Sequence, residues 1–340
     1  MRRVGVFGLA VLALAAIAFG GAASASAQAP EYGRCVKKAK AEGSGYTGAT
    51  CAKEGTGKHA KYEWLAGPGP NAGFSWEGKS IYSERYRRCQ RAISEEEVAR
   101  EERRRAEAAG EPEAAELIKQ AEAHETGSRQ SYELAGNPGP ALTREQCETL
   151  IESESARAPA VLQTVPVAIG KKKVSTRVAC GGVSATGELS GAKSVADVTI
   201  TFSECAVRGT VCQSPGAQEG EIVSSALGGE LGVVKVVKGK TKLGISLAPA
   251  EETPFASFAC GEQSVVVSGS TIREVESNHL NKVEPVHYNQ SQGAQNPTGF
   301  LGAPQDVLSS SIGGAPAEQT GLSLKALQKN EEAVELNTSV

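Results

Sequence analysis

The chain of 340 residues contains only two aspartates, Asp197 and Asp306. Calcium loops draw most of their ligands from closely spaced Asp, so that class of site is excluded. Aromatic residues make up 5%, too few to line a large aromatic pocket. The four histidines, His59, His124, His279 and His287, are scattered. His279 and His287 stand eight apart, but Pro285 interrupts the strand that would put them on one face, which argues against a metal pair. No two cysteines form C-x-x-C, so the zinc-ribbon and thioredoxin spacings are missing.

Catalytic patterns are equally scarce. The nucleophile-elbow pattern G-x-S-x-G does not occur. Ser190-Gly191-Ala192-Lys193 matches S-x-x-K but has neither the K-T-G nor the S-D-N that gives the motif its chemistry. Glu221 and Glu230 flank glycines, which read as turn residues rather than as two carboxylates facing across a sugar. Lys and Arg number 36 against 39 Asp and Glu. The basic runs YRRCQR and RRR have acidic residues interleaved, so no stripe forms that could follow phosphates, and nucleic acid is not an expected partner. No catalytic residue, metal ligand or cofactor is assigned.

What is present begins with a leader. Arg2 and Arg3 precede an apolar stretch, Val4 to Gly21, and Ala25-Ser26-Ala27 fits a small-residue cleavage site. This is the pattern of a secretory signal over residues 1–27. The stretch is at the short edge for a spanning helix. Cleavage removes two positive charges, taking the net charge from -3 to -5. The C-terminal EEAVELNTSV has no apolar tail. The expected product is secreted, with no membrane span after cleavage.

The eight cysteines all follow the leader, and an even count in an exported chain reads as disulfides. Pairing within each half of the chain is the simplest arrangement. The expected pairs are Cys35–Cys51, Cys89–Cys147, Cys180–Cys260 and Cys205–Cys212, the last closing CAVRGTVC.

Three regions follow. Residues 28–78 form a small unit rich in Gly, Tyr and Lys, with too little core to stand without a Cys35–Cys51 staple. Residues 79–158 are a charged helical insertion. Ser94 with Glu97 reads as a capping box and Ile93 with Val98 as its staple, starting a helix over 95–109. Gly110 and Pro112 separate it from a second helix, and Thr143 with Gln146 caps a third. The first of these has almost no apolar stripe, so it reads as a solvated face or as a partner-binding arm. Residues 159–340 alternate with period two: Val198, Ile200 and Phe202 share one face, as do Leu243, Ile245 and Leu247. Leu322, Leu324, Val334 and Leu336 point inward from an expected terminal hairpin, GLSLKALQ and AVELNTS around KNEE. About ten to twelve such runs fit a mainly β architecture, an antiparallel β-sandwich or partly closed barrel.

A short sequence recurs. YEWLAGPGP (62–70) returns as YELAGNPGP (132–140), and YGRCVKKA (32–39) resembles YRRCQRAI (86–93). The second region therefore reads as a diverged copy of the first, enlarged by helices. Pro-Gly-Pro is first of all a terminator, since it removes donors and fixes φ. The sharper alternative makes Tyr62, Trp64 and Trp76 stacking platforms for a sugar ring, with Tyr132 in the second copy.

EYGRC, YEW, GELSGAKSVADVTITFSEC, FACGEQSVVVSGSTI and the closing QTGLSL…NEEAVELNT resemble a family of uncharacterised secreted proteins from high-GC Gram-positive (actinobacterial) soil bacteria. The likeness covers residues 31–78 and about 170–340. It implies export and an all-β body and supplies no site residue; members of that family join the lead motif almost directly to the body, and this chain departs from them by carrying the insertion 79–158. Together these features predict an exported, non-enzymatic protein that binds a cell-wall or extracellular polysaccharide. A hydrolase with a dispersed Glu/Ser site and an interaction module built on the charged helices are the alternatives.

Overall fold

The computed structural model describes residues 30–51, 53–78, 82–164, 167–169, 172–275 and 283–337. The expected leader and His279 lie outside them. The architecture is mainly β: a small curled sheet near the N-terminus, a three-helix insertion, and a large antiparallel sheet that forms a partial ring.

The small sheet is built on β1 (Glu31–Lys37) and β2 (Tyr62–Ala66), which pair antiparallel with Cys35 opposite Trp64. The expected staple is there: Cys35 and Cys51 are bonded. The next strand, β3 (Gly73–Gly78), does not join this sheet. It enters the large one, so the large sheet draws a strand from before the helices.

The insertion contains α1 (Glu84–Ala108), α2 (Glu113–Gly136) and α3 (Arg144–Ser155). The capping box at Thr143 and Gln146 is formed as expected. The start of α1 is not where the Ser94–Glu97 pattern put it. Ser83 caps the helix, its hydroxyl accepting from the Tyr86 amide at 3.0 Å, and Ser94 lies inside. Helix α2 runs on to Gly136.

Two small-residue rows hold α1 and α2 together. Ala92, Ala99 and Ala106 recur every seven residues on α1, and Ala121, Ser128 and Ala135 on α2; all six are buried. The Ser128 hydroxyl donates to the Ala92 carbonyl at 2.8 Å. Small side chains at heptad spacing let two helices approach closely along a narrow seam. Arg103 then clasps Glu125 with two hydrogen bonds, 2.7 and 3.0 Å. The helix with no apolar stripe is thus half of a packed pair rather than a free arm.

The two YE…PGP stretches take different secondary structure. Tyr62–Ala66 is strand, whereas Tyr132 to Gly136 ends α2. Likewise Tyr32 lies in a strand and Tyr86 in a helix. What they share is where they stop, since each element ends before its Pro-Gly-Pro.

The body follows: β4 (Ala160–Thr164), β5 (Arg177–Glu188), β6 (Ser194–Val207), β7 (Thr210–Gln213), β8 (Leu227–Val237), β9 (Lys240–Pro249), β10 (Ala256–Cys260), β11 (Gln263–Ser268), β12 (Thr271–Glu274), β13 (Val283–Ser291), β14 (Ser309–Ile312), β15 (Glu318–Asn330) and β16 (Glu335–Asn337). Period-two burial is as expected: Val198, Ile200, Phe202, Leu243, Ile245 and Leu247 are all buried. The terminal hairpin is not formed. Leu322, Leu324, Val334 and Leu336 are buried, but β16 leaves β15 and pairs with β1, Tyr32 opposite Leu336.

Strands β5 and β15 are long and share one slot between them. β3 fills one half of it and β4 the other, each paired antiparallel to both neighbours. Around the β4 half the pairings run β6–β7–β10–β11–β14–β15–β4–β5 and return to β6. Three joins have only two residue pairs, β6 to β7, β7 to β10 and β14 to β15, so this eight-stranded ring is a partly closed barrel.

Around the β3 half the sheet runs β13–β15–β3–β5–β6–β8–β9–β12. Its end strands are joined by an ion pair: Arg273 on β12 reaches Glu284 on β13 at 3.0 Å, both nearly solvent-free. The same Nη2 donates to Gln328 at 3.1 Å, and Trp76 donates to Gln328 at 2.9 Å. Burial works against the Arg273 charge, but Glu284 and the phenols of Tyr288 and Tyr32 outweigh it and the guanidinium stays ionised. Tyr32, carried in from the small sheet, is fully buried here and fixes that sheet to the body.

Two expected disulfides are present, Cys35–Cys51 and Cys89–Cys147; the other two are corrected to Cys180–Cys205 and Cys212–Cys260. The reason is register. Cys180 lies opposite Cys205 on β5 and β6, and Cys212 opposite Cys260 on β7 and β10. The β6–β7 hairpin, with Ala206 opposite Val211, brings Cys212 beside Cys205. The four therefore stand in one row across adjacent strands. Bonding the inner two would leave the outer two about 14 Å apart at ordinary strand spacing, beyond disulfide reach. Bonding neighbours in order leaves no orphan, and both pairs have Cα atoms 4.0 Å apart.

Candidate functional site

The end of the eight-stranded ring nearest the helices is concave. A pocket of about 260 Å³ enters it, walled by Leu162, Val178, Val207, Val265 and Ile312. Each comes from a different strand and points inward by the alternation that buries the core. Hydroxyl residues ring it. Ser310 and Thr320 bond to each other at 2.6 Å. The Thr164 hydroxyl accepts from the Thr176 amide at 2.9 Å, tying the chain on either side of residues 165–175 to the rim.

Helix α1 crosses this end. The tight turn at Arg208 and Gly209 lets it come close: both residues have positive φ, and a Cβ at Gly209 would lie 3.1 Å from Ile93. Only glycine combines that backbone with that clearance. Thr210 at the rim donates to Glu97 on α1 at 2.6 Å, and Arg105 reaches Glu262 at 2.9 Å. From α3, the Ser155 carbonyl accepts from Arg177 at 2.8 Å. The insertion is therefore a wall of the site.

Between wall and ring lie two clefts continuous with the pocket. The larger, about 730 Å³, shares Thr176 and Val207 with the pocket and is flanked by Arg144, Arg177 and Arg208 and by Glu97, Glu148 and Glu152. The second, about 590 Å³, shares Thr210 and Cys260 with the pocket and runs along the charged flank of α1.

Arg144 organises the helical wall. It meets Glu148 at 2.8 Å, Glu96 at 3.1 Å and Glu97 at 3.3 Å, joining α3 to α1. Burial opposes its charge, but Glu148 and Glu96 hold its pKa above the ordinary guanidinium range. Burial also opposes ionisation of Glu96. The Tyr132 hydroxyl at 2.9 Å and the Arg144 and Arg100 guanidiniums outweigh it, so Glu96 is held below the usual carboxylate range.

The residues singled out by sequence are not gathered here. Trp76 is 3% exposed, stacked on Phe74 in the core, so it is corrected from ligand platform to core residue. Trp64 lies over Gly33 and donates to Glu31 at 2.8 Å; Tyr62 is half-buried two residues away. Ser190 bonds Ser194 at 3.0 Å in an exposed turn, with Lys193 exposed beside it. His59 is exposed in a short turn of helix, His124 faces Glu102 at 3.7 Å, and His287 is on β13. Among the described residues no cluster of His, Cys, Asp and Glu is fit for a metal. The pocket itself was beyond pattern reading, because its walls come one residue at a time from separate strands. Alternation of Val and Thr was its only trace. No family model, curated protein or solved structure matches this chain.

Proposed function

We propose that this is an exported, non-enzymatic binding protein whose ligand site is the open end of the eight-stranded ring, roofed by the helical insertion. The carrying observation is the apolar pocket at the end of the ring, continuous with two polar clefts. Small barrels hold ligands in this position, with apolar walls for affinity and a polar rim for orientation. Four disulfides suit an oxidising, extracellular setting, and among the described residues no helix is long and apolar enough to cross a membrane. The sugar-stacking alternative loses Trp76 to the core.

Fluorescence titration with the apolar probe 1-N-phenylnaphthylamine tests this. One saturable site is expected in the native protein, lost in Val178→Trp at unchanged circular dichroism. No saturable binding to the native protein contradicts it.

A further inference from the structure

We infer that the ligand is a single-chain amphiphile with an anionic head, its tail in the ring and its head between Arg177 and Arg208. The inference rests on the binding reading above and adds the ligand's chemistry. At about 260 Å³ the pocket is below the usual range for a whole drug-sized ligand, roughly 300–1,000 Å³. It suits one apolar end of a molecule whose remainder occupies the adjoining cleft.

The cleft carries an uncompensated pair of charges. Ala179 on β5 pairs with Ala206 on β6, and both face the cleft. Arg177, two residues back along β5, and Arg208, in the turn that follows β6, line the same cleft. Neither forms an ion pair within 4 Å among the described residues. Arg177 spends Nη2 on the Ser155 carbonyl and leaves Nε with no partner, although that atom is out of solvent. The carboxylates opposite are largely spoken for: Glu97 and Glu148 both bond Arg144, and Glu97 also takes Thr210. Glu152 alone remains on the α3 wall, exposed. Two guanidiniums against one free carboxylate, beside an apolar pocket, match a carboxylate or phosphate monoester on an alkyl chain.

Calorimetry at low salt with decanoate, decyl phosphate, decanol and decyltrimethylammonium reads both halves of the inference. Decanoate and decyl phosphate should bind about tenfold or more tighter than decanol, and the cation least. Arg208→Gln and Arg177→Gln should each weaken decanoate about tenfold and leave decanol unchanged, while Arg208→Lys keeps part of the preference. Should one variant unfold, the other and the salt dependence still decide. Decyl phosphate far tighter than decanoate assigns a phosphate head. Equal binding of decanoate and decanol overturns the anionic head while leaving the pocket. Binding of no member, with no uptake of the apolar probe, overturns both.

Discussion

Gly78 and Ala160 occupy one strand slot although 81 residues of chain separate them: Gly78 pairs with Val183 and Ala160 with Cys180. Only Gly181 and Gly182 lie between those partners. The helices therefore interrupt what would be a single strand, at a point where two residues suffice to carry it through.

Deleting residues 81–159, with Lys79 and Ser80 left as the link, should give a folded body in which β3 runs directly into β4. The expected product has a β-type circular dichroism spectrum, one cooperative unfolding transition, and Cys35–Cys51, Cys180–Cys205 and Cys212–Cys260 intact by mass mapping. A product that stays insoluble, or scrambles its cysteines, contradicts the picture of an inserted module.

The cysteine row makes a sharper prediction. Replacing Cys212 with Ala should free the thiol of Cys260 alone and leave Cys180–Cys205 bonded, lowering stability by about 2–4 kcal/mol. Thiol labelling after denaturation under non-reducing conditions identifies the free residue. Label on Cys205 instead would restore the pairing that the loop CAVRGTVC suggests.

Arg273 and Glu284 close the β3 half of the sheet. Glu284→Gln strands a buried cation whose Nε and Nη1 already lack partners, and should cost about 3–5 kcal/mol in urea denaturation. Arg273→Met combined with Glu284→Leu should recover most of that loss, because replacing both charges leaves none uncompensated. If the double variant is no better than the single, the pair contributes more than it costs to bury.

The Glu96 cluster predicts a pH dependence. Its carboxyl is held below the ordinary range, so its contribution is complete above the unfolded value near ~4.3 and is lost as pH falls through the lower folded value. Glu96→Gln should therefore be less stable than the native protein at pH 6, by about 1 kcal/mol, with the gap closing as pH falls through the lowered folded value. Urea midpoints for both proteins across that range provide the check; a gap that widens in acid reverses the sign.

Much of the body was legible in sequence because one buried face imposes period two, as Val198-Ile200-Phe202 shows. The Thr143 box was legible because its two bonds are local. Other features depended on distant partners. Ser94–Glu97 has the letters of a cap, but Ser83, itself bound at its amide and hydroxyl by Glu154, starts the helix earlier. The α1–α2 seam is made of alanines and serines, which carry little hydrophobic signal. Trp76 is core only because β15, 252 residues away at Gln328, lies beside it, and Arg177 and Arg208 line one cleft only once β5 and β6 pair.

The most direct measurement is a crystal structure grown with decanoate. The account predicts an alkyl chain among Leu162, Val178, Val265 and Ile312, with its carboxylate between Arg177 and Arg208. Decanoate bound elsewhere, with the end of the ring filled by the protein's own side chains, would contradict it.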